Sequence, residues 1–392
     1  MIVKNCLTYR VFVLIFFLVS CKEKYIPPVI KTELGYLVVD GSLINGADST
    51  IIRLSRTKEL DENPAISGEQ NAQITVEDAE GNTMYNFTAV NDNGVYALPG
   101  MNLDINKKYK LRINTTDGNQ YVSDDIIIKE TPPIDSVSWR LNADGVTIYA
   151  NTHDPLNNTI YYRWEYAETW DYYTYYYSTL KYRLASTVDS MFLPRTDGES
   201  VYHCWKTAFS TQIILGSSSK LSADVISESP VRFIPVSSFE ISSIYSILLK
   251  QYALTKEAFE YFENIKKISE QTGSLFDAQP SQLSGNIHCI GKPAEPVIGF
   301  VTATTAQKKR IFIAQSQVEP WNYSLFCPDK RNVPLIMDSL KYFFGGNYPI
   351  LIPIEKVFDP ATNRVIAISG GIPICADCTY REGTTIKPDF WP

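Results

Sequence analysis

Histidine is nearly absent. His153, His203 and His288 are the only three in a chain of 392 residues, which leaves few candidates for histidine-based chemistry. Positive charge is in deficit: 36 Lys and Arg face 43 Asp and Glu, a net charge of −7. Proteins that grip phosphate backbones carry the opposite balance, so no nucleic-acid partner is expected. The body of the chain contains no apolar run of the roughly 18 residues needed to span a bilayer as a helix. HExxH, GxSxG, P-loop and dinucleotide-glycine motifs are missing too, so neither a catalytic residue nor a cofactor is expected. What remains is a globular composition, 44% hydrophobic, 20% charged and 12% aromatic, long enough for two or three domains.

The first positive signal is an address. Lys4 and Arg10 precede an apolar run from Val11 to Val19, which is too short to span a membrane and suits a signal-peptide core. Leu18-Val19-Ser20-Cys21 follows and resembles a bacterial lipobox, in which the cysteine thiol is lipidated and the segment before it removed. The expectation is therefore a signal peptide over 1–20, lipidation at Cys21 and a short charged, proline-stiffened tether over 21–33. The alternative is an ordinary signal peptide with a structural Cys21. The first twenty residues carry two positive charges and no negative one, so the remainder has a net charge of −9. Anionic lipid does not attract such a body, and acyl chains would have to hold it at the outer membrane. Lys22-Glu23 behind the anchor partly resembles a surface-export signal.

Beyond the tether, short alternating runs separated by turn residues predict strands. Leu37–Gly41, Thr50–Leu54, Ala72–Val76, Asn86–Val90, Tyr109–Ile113 and Gln120–Ser123 each offer one face for burial. Glu80-Gly81-Asn82, Asn93-Gly94 and Asp117-Gly118 suit tight hairpins. Six or more such strands predict an N-terminal β-sandwich over 34–130, similar to Ig-like and prealbumin-like modules. Pro132 and Pro133 cannot donate to a ladder and mark a boundary. The second domain, 134–392, reads as β-rich, with runs at Ser136–Leu141, Val146–Asn151, Thr211–Leu215, Val231–Pro235, Tyr245–Leu249, Val297–Thr302 and Arg310–Ala314. One helix interrupts it near 256–272: Thr255 can cap it, Phe259, Phe262, Ile265 and Ile268 form a stripe, and Gly273 suits its end.

Residues 161–182 hold eleven Tyr and Trp in 22 positions. Alternation places Tyr162, Trp164 and Tyr166 on one face, a core arrangement. The following Trp170, Tyr172, Tyr173, Tyr175, Tyr176 and Tyr177 present aromatics to both faces, and these six are the candidate surface for a glycan, a peptide or a protein partner. Packing against the inserted helix is the bland alternative. His203-Cys204 and His288-Cys289 invite a zinc site, but neighbours on a strand point to opposite faces, so no metal is expected. His153 reads as a solvated loop residue. Asn91-Asp92-Asn93-Gly94 lacks the terminal Glu of a calcium loop and reads as a hairpin turn. A redox role for Cys375-Ala376-Asp377-Cys378 would need a βαβ context that this Pro-rich tail lacks.

A family likeness runs through the chain. Pro132-Pro133-Ile134-Asp135-Ser136, Glu168-Thr169-Trp170, Asp277-x-Gln279-Pro280-Ser281 with Gly285-Asn286-Ile287, Pro296-Val297-Ile298-Gly299-Phe300, Lys309-Arg310-Ile311-Phe312-Ile313, and the closing Cys-x-x-Cys with Gly383-Thr384 and Lys387-Pro388-Asp389-Phe390-Trp391 together resemble the DUF4249 lipoproteins of Bacteroidota. The resemblance implies that Cys375 and Cys378 form disulfides with Cys204 and Cys327, leaving Cys289 unmatched. It also implies a non-catalytic accessory or ligand-binding subunit beside a TonB-dependent outer-membrane transporter. A glycan- or peptide-acting hydrolase and a structural adhesion module are the alternatives.

Overall fold

The first two strands, β1 (Leu37–Ile44) and β2 (Thr50–Arg56), form an antiparallel pair whose alternate side chains, among them Leu37, Val39, Ile52 and Leu54, are buried. The structure is a computed structural model and describes residues 35–58, 68–270, 285–321 and 323–392. The expected signal peptide, Cys21, the tether, Gly273 and Asp277–Ser281 lie outside those residues.

The chain continues through β3 (Gln73–Asp78), β4 (Thr83–Asn86), β5 (Thr88–Asn91), β6 (Val95–Leu98), β7 (Lys108–Asn114), β8 (Gln120–Ser123) and β9 (Ile126–Lys129). Gly81, Gly94 and Gly118 have φ of 87°, 71° and 83° and turn the β3–β4, β5–β6 and β7–β8 hairpins, where a side chain would be strained. Asn91 Oδ1 accepts from Asn93 N–H at 3.0 Å across the Asn-Asp-Asn-Gly turn.

Two later strands complete this sheet. β19 (Ile287–Cys289) pairs antiparallel with β8, and β20 (Thr302–Thr304) lies parallel between β1 and β9. Eleven strands thus share one sheet, ordered β19-β8-β7-β9-β20-β1-β2-β6-β5 with β3 and β4 branching from β7, around a core that includes Ile74, Val76, Tyr96, Tyr121, Val301 and the free Cys289. The sequence reading places residues 287–304 in the second domain; here they return to the first. β1 and β9 would otherwise present unpaired backbone groups, and three residues of β20 satisfy both edges. This is also why Val297–Thr302 is not one continuous strand: only Val38↔Ile298 bridges before Thr302.

The second layer system joins β10 (Ile134–Asn142), β11 (Gly145–His153) and β17 (Val225–Pro235) in one sheet. A second sheet holds β12 (Tyr161–Tyr173), β15 (His203–Phe209), β16 (Ile214–Ser217), β18 (Ile244–Leu254) and β21 (Ala306–Ala314). A common core of Val146, Ile148, Trp164, Ile234, Ile247 and Leu249 lies between them, as the alternation in both sheets demands. Pro132 and Pro133 sit at the entry. Their carbonyls accept from Gln251 Nε2 at 2.9 Å and Thr152 Oγ1 at 2.8 Å, and Gln251 Oε1 accepts from the indole N–H of Trp164 at 2.8 Å. Every polar group of that buried knot has a partner, which is what permits it in a core.

The remaining strands are the hairpin β13 (Leu180–Tyr182) with β14 (Phe192–Pro194) and a sheet of β22 (Arg331–Pro334), β23 (Ile352–Phe358) and β24 (Val365–Gly371). With the helix Met337–Phe344 they enclose a small core around Phe192, Leu340, Phe344 and Ile368. The protein is therefore mainly β, with the eleven-stranded N-terminal sheet in place of the expected two-sheet sandwich and a larger β-rich portion in several sheets after it. The long helix spans Lys256–Glu270 and begins where expected, with Thr255 Oγ1 accepting from Ala258 N–H at 3.2 Å. Its deepest side chains are Ala258 and Tyr261, one position off the anticipated stripe, whose members are half-buried. Phe259 packs on Tyr161 at 4.8 Å and Phe262 lies under the Arg163 guanidinium at 4.6 Å. The helix thus covers the outward face of the first half of β12.

Candidate binding surface

Alternation along β12 does not stop where the aromatic run becomes dense. Tyr162, Trp164, Tyr166, Glu168, Trp170 and Tyr172 are buried on one face, as are Thr174 and Ser178 beyond the strand, while the other face is half-buried up to Ala167, closed at Thr169 and Asp171, and open to solvent from Tyr173. The six candidate aromatics therefore divide. Trp170 and Tyr172 are 6% and 1% exposed and belong to the core, and Tyr176 is half-buried against Ile352, Ile354 and Ala376. Tyr173, Tyr175 and Tyr177, at 46%, 65% and 56% exposed, stand on the surface. The expectation that all six form one surface is corrected for Trp170, Tyr172 and Tyr176, because the sheet and the C-terminal tail cover the inward side.

That cover is held by two disulfides. Cys204 on β15 pairs with Cys378, and Cys327 pairs with Cys375. The Tyr172 hydroxyl donates to Cys378 O at 2.8 Å, and its burial, the leading cause, pushes its pKa up to about 12. Gly383 lies so close that a Cβ there would come 2.1 Å from the Tyr172 hydroxyl, so only glycine fits. Trp205 and Thr384 exchange two backbone hydrogen bonds of 2.8 Å, adding the tail to the edge of β15. Redox exchange at Cys375 and Cys378 is not what this arrangement is built for, since each sulfur is tied to a different distant strand or loop.

On the outer face the tyrosines cluster. Tyr173 stacks on the His203 ring at 4.1 Å and 18°, and lies 5.3 Å from Tyr202. Tyr177 meets Tyr202 edge-on at 5.1 Å, and Tyr175 meets Tyr176 at 4.9 Å. His203 Nε2 is 2.9 Å from Asp171 Oδ2, whose other oxygen accepts from Ile244 N–H at 2.7 Å. Ring stacking on one side and a buried carboxylate behind fix His203, and through it Tyr173, in one pose. Tyr202 and His203 were not among the residues singled out from sequence for this surface. Their position two and one before Cys204 would have pointed to them only with the Cys204 pairing in hand.

Around the edge of β12 and β15 runs a cleft of about 430 Å³. Trp170, Phe239, Tyr323 and Tyr380 supply aromatic wall, and Lys206, Arg381 and Glu382 supply charge. Lys206 Nζ is 2.8 Å from Glu382 Oε2. Arg381 rests over the Phe239 ring at 4.8 Å, donates to Ile374 O at 3.0 Å and approaches the Tyr323 hydroxyl at 3.5 Å. Another cavity, of about 330 Å³, is lined in part by Asp124 and Asp125. Those acids already face His288 at 3.0 Å and Lys108 and Lys110 at 3.5 and 3.6 Å, a structural pairing.

The two His-Cys pairs lie on β15 and β19, with the cysteine buried and the histidine turned outward in each. Among the described residues no group of three or more His, Cys, Asp or Glu could hold a metal ion. His153 is exposed at the end of β11, paired with Asp135 at 2.8 Å, and that contact raises its pKa.

A mainly β chain with two disulfides and an aromatic surface defines a broad class. Within it, this chain belongs to the DUF4249 family, a domain of unknown function whose model matches residues 22–310. No curated protein matches it. Among solved structures, one similar chain is a Corynebacterium diphtheriae protein described as membrane anchored, 12% identical with a TM-score of 0.16 over 56% of this chain and 55% of that one. Another comes from a structure of manganese lipoxygenase of Gaeumannomyces graminis and zonadhesin of Komagataella pastoris, 7% identical with a TM-score of 0.17 over 57% and 90%. The alignment to the first spans little more than half of that chain's length, and at these TM-scores neither similarity bears on the fold or function of this chain.

Proposed function

We propose that this chain is an outer-membrane lipoprotein, acylated at Cys21 and surface-exposed, that serves as a non-catalytic accessory or ligand-binding subunit of a TonB-dependent nutrient uptake system. The observation that carries the reading is the outward cluster of Tyr173, Tyr175, Tyr177 and Tyr202. Tyrosines presented at fixed angles offer large contact area at little entropic cost, the pattern of protein interfaces. Three of the four lie within five residues on a strand extension clamped between the two disulfides, so the surface is pre-organised. The Leu18-Val19-Ser20-Cys21 sequence supports the anchor, and among the described residues no helix is long and apolar enough to cross a membrane.

The anchor is directly testable. Expressed as the full chain in a Bacteroidota host fed alkyne-palmitate, the protein will be labelled and will sediment with outer membranes. The Cys21→Ser variant will lose the label and pass to the soluble fraction. Retention of label in that variant, or of membrane association without label, contradicts the lipoprotein reading.

A further inference from the structure

The cleft beside the disulfides differs from the tyrosine surface in its chemistry. The cleft is lined in part by Trp170, 94% buried, which contributes apolar surface. Its wall combines Phe239 and Tyr323, 5.0 Å apart and tilted by 48°, with the exposed Tyr380 at the mouth.

The charges at the rim are not equivalent. Lys206 is neutralised by Glu382. Arg381 is held by an aromatic face, a carbonyl and a hydroxyl, and by no carboxylate among the described residues. It is thus an uncompensated, immobilised guanidinium in a chain whose overall charge is −7. A fixed guanidinium is shaped for bidentate recognition of a carboxylate. Aromatic walls present flat apolar faces to a ring, and the Lys206–Glu382 pair sets a donor beside an acceptor, matching neighbouring hydroxyls. The cleft volume of about 430 Å³ falls in the range of small-ligand sites.

We propose that this cleft binds an acidic saccharide, its sugar ring stacked against Tyr323 and Tyr380 over Trp170 and its carboxylate paired with Arg381. The polar groups of the cleft surround aromatic walls, an arrangement suited to a ring that carries both hydroxyls and a carboxylate, and binding of an acidic peptide instead is an outcome of the test. This inference rests on the ligand-binding half of the proposed function and not on transporter docking.

The test is calorimetric titration of the purified full chain with trigalacturonate, maltotriose and an acetylated Glu-Glu-Trp tripeptide. Trigalacturonate will bind at least about tenfold more tightly than either of the others, with an affinity that falls as salt rises. Arg381→Gln will weaken it by about tenfold or more. Because Arg381 also braces Ile374 and Phe239, the exposed Tyr380→Ala provides a second variant, expected to weaken binding by several-fold with an unchanged melting temperature. No binding of trigalacturonate, equal binding of maltotriose, tighter binding of the tripeptide, or indifference to both substitutions overturns the proposal. Saccharide binding without a co-purifying transporter would remove docking alone; co-purification without saccharide binding would remove this site alone.

Discussion

Replacing Cys204 and Cys378 together by serine will lower the free energy of unfolding by about 3–5 kcal/mol. The bond joins residues 174 apart in sequence, and the chain-entropy relation gives roughly 5 kcal/mol for a loop of that length at 25 °C, with measured losses commonly 2–5. The Cys327–Cys375 bond closes a separation of only 48, for which the same relation gives roughly 4 kcal/mol, so its removal will cost less. Urea unfolding monitored by tryptophan fluorescence checks both. The first substitution also frees the tail that covers Tyr172, so Trp170 and Trp205 will become more accessible to quencher. A loss below about 1 kcal/mol, or the reverse ranking, contradicts the clamping role given to these bonds.

Glu168→Gln is the second large effect. Glu168 is 5% exposed, and its Oε2 accepts from Arg232 Nε at 3.0 Å and the Tyr245 hydroxyl at 2.8 Å. Burial, followed by the nearby Glu168 charge, holds the Tyr245 hydroxyl protonated well above its ordinary range. Removing the carboxylate charge leaves Arg232 largely desolvated with only Glu240 at 3.5 Å. Breaking one partner of such a pair costs about 3–5 kcal/mol, whereas replacing both partners by apolar groups is often nearly neutral. The expected loss is about 2–4 kcal/mol, because Arg232 keeps some solvent contact and its second acid. The triple variant Glu168→Leu, Arg232→Met and Tyr245→Phe, which also removes the hydroxyl that Glu168 accepts from, will recover at least half of it. Chemical denaturation decides: a single substitution costing under about 1 kcal/mol, or no recovery in the triple variant, shows that the network is not a stability element.

Much of the architecture was legible in the residues themselves. The N-terminal hairpins were marked by glycines at the turns, and the onset of the long helix by Thr255. Period-two alternation over Tyr162, Trp164 and Tyr166 gave the core face of the central strand. The burial of Trp170 and Tyr172 was not legible, because what covers them is a tail about 200 residues further on, tied down through Cys204 and Cys378. The same applies to β20: a three-residue strand has no periodic signal, and only two unpaired edges far earlier in the chain give it a place. For the helix, Tyr261 is buried where it packs on Phe300, from a segment about forty residues further on, while Phe259 and Phe262 lie half-buried over Tyr161 and Arg163, a difference of one position that local hydrophobicity does not resolve. Arg381 carries no local signature at all; its significance comes from the carboxylate it does not meet.

The proposal that this chain is a lipoprotein docking on a TonB-dependent barrel through its outward tyrosines is tested by recovering the tagged full chain from mildly solubilised outer membranes of its native host. A TonB-dependent transporter is expected at near one-to-one stoichiometry with the native chain, falling by about tenfold or more when Tyr173, Tyr175 and Tyr177 are all replaced by serine in a variant with an unchanged melting temperature. Recovery of the native chain with no barrel attached, or of the barrel equally with both chains, contradicts it.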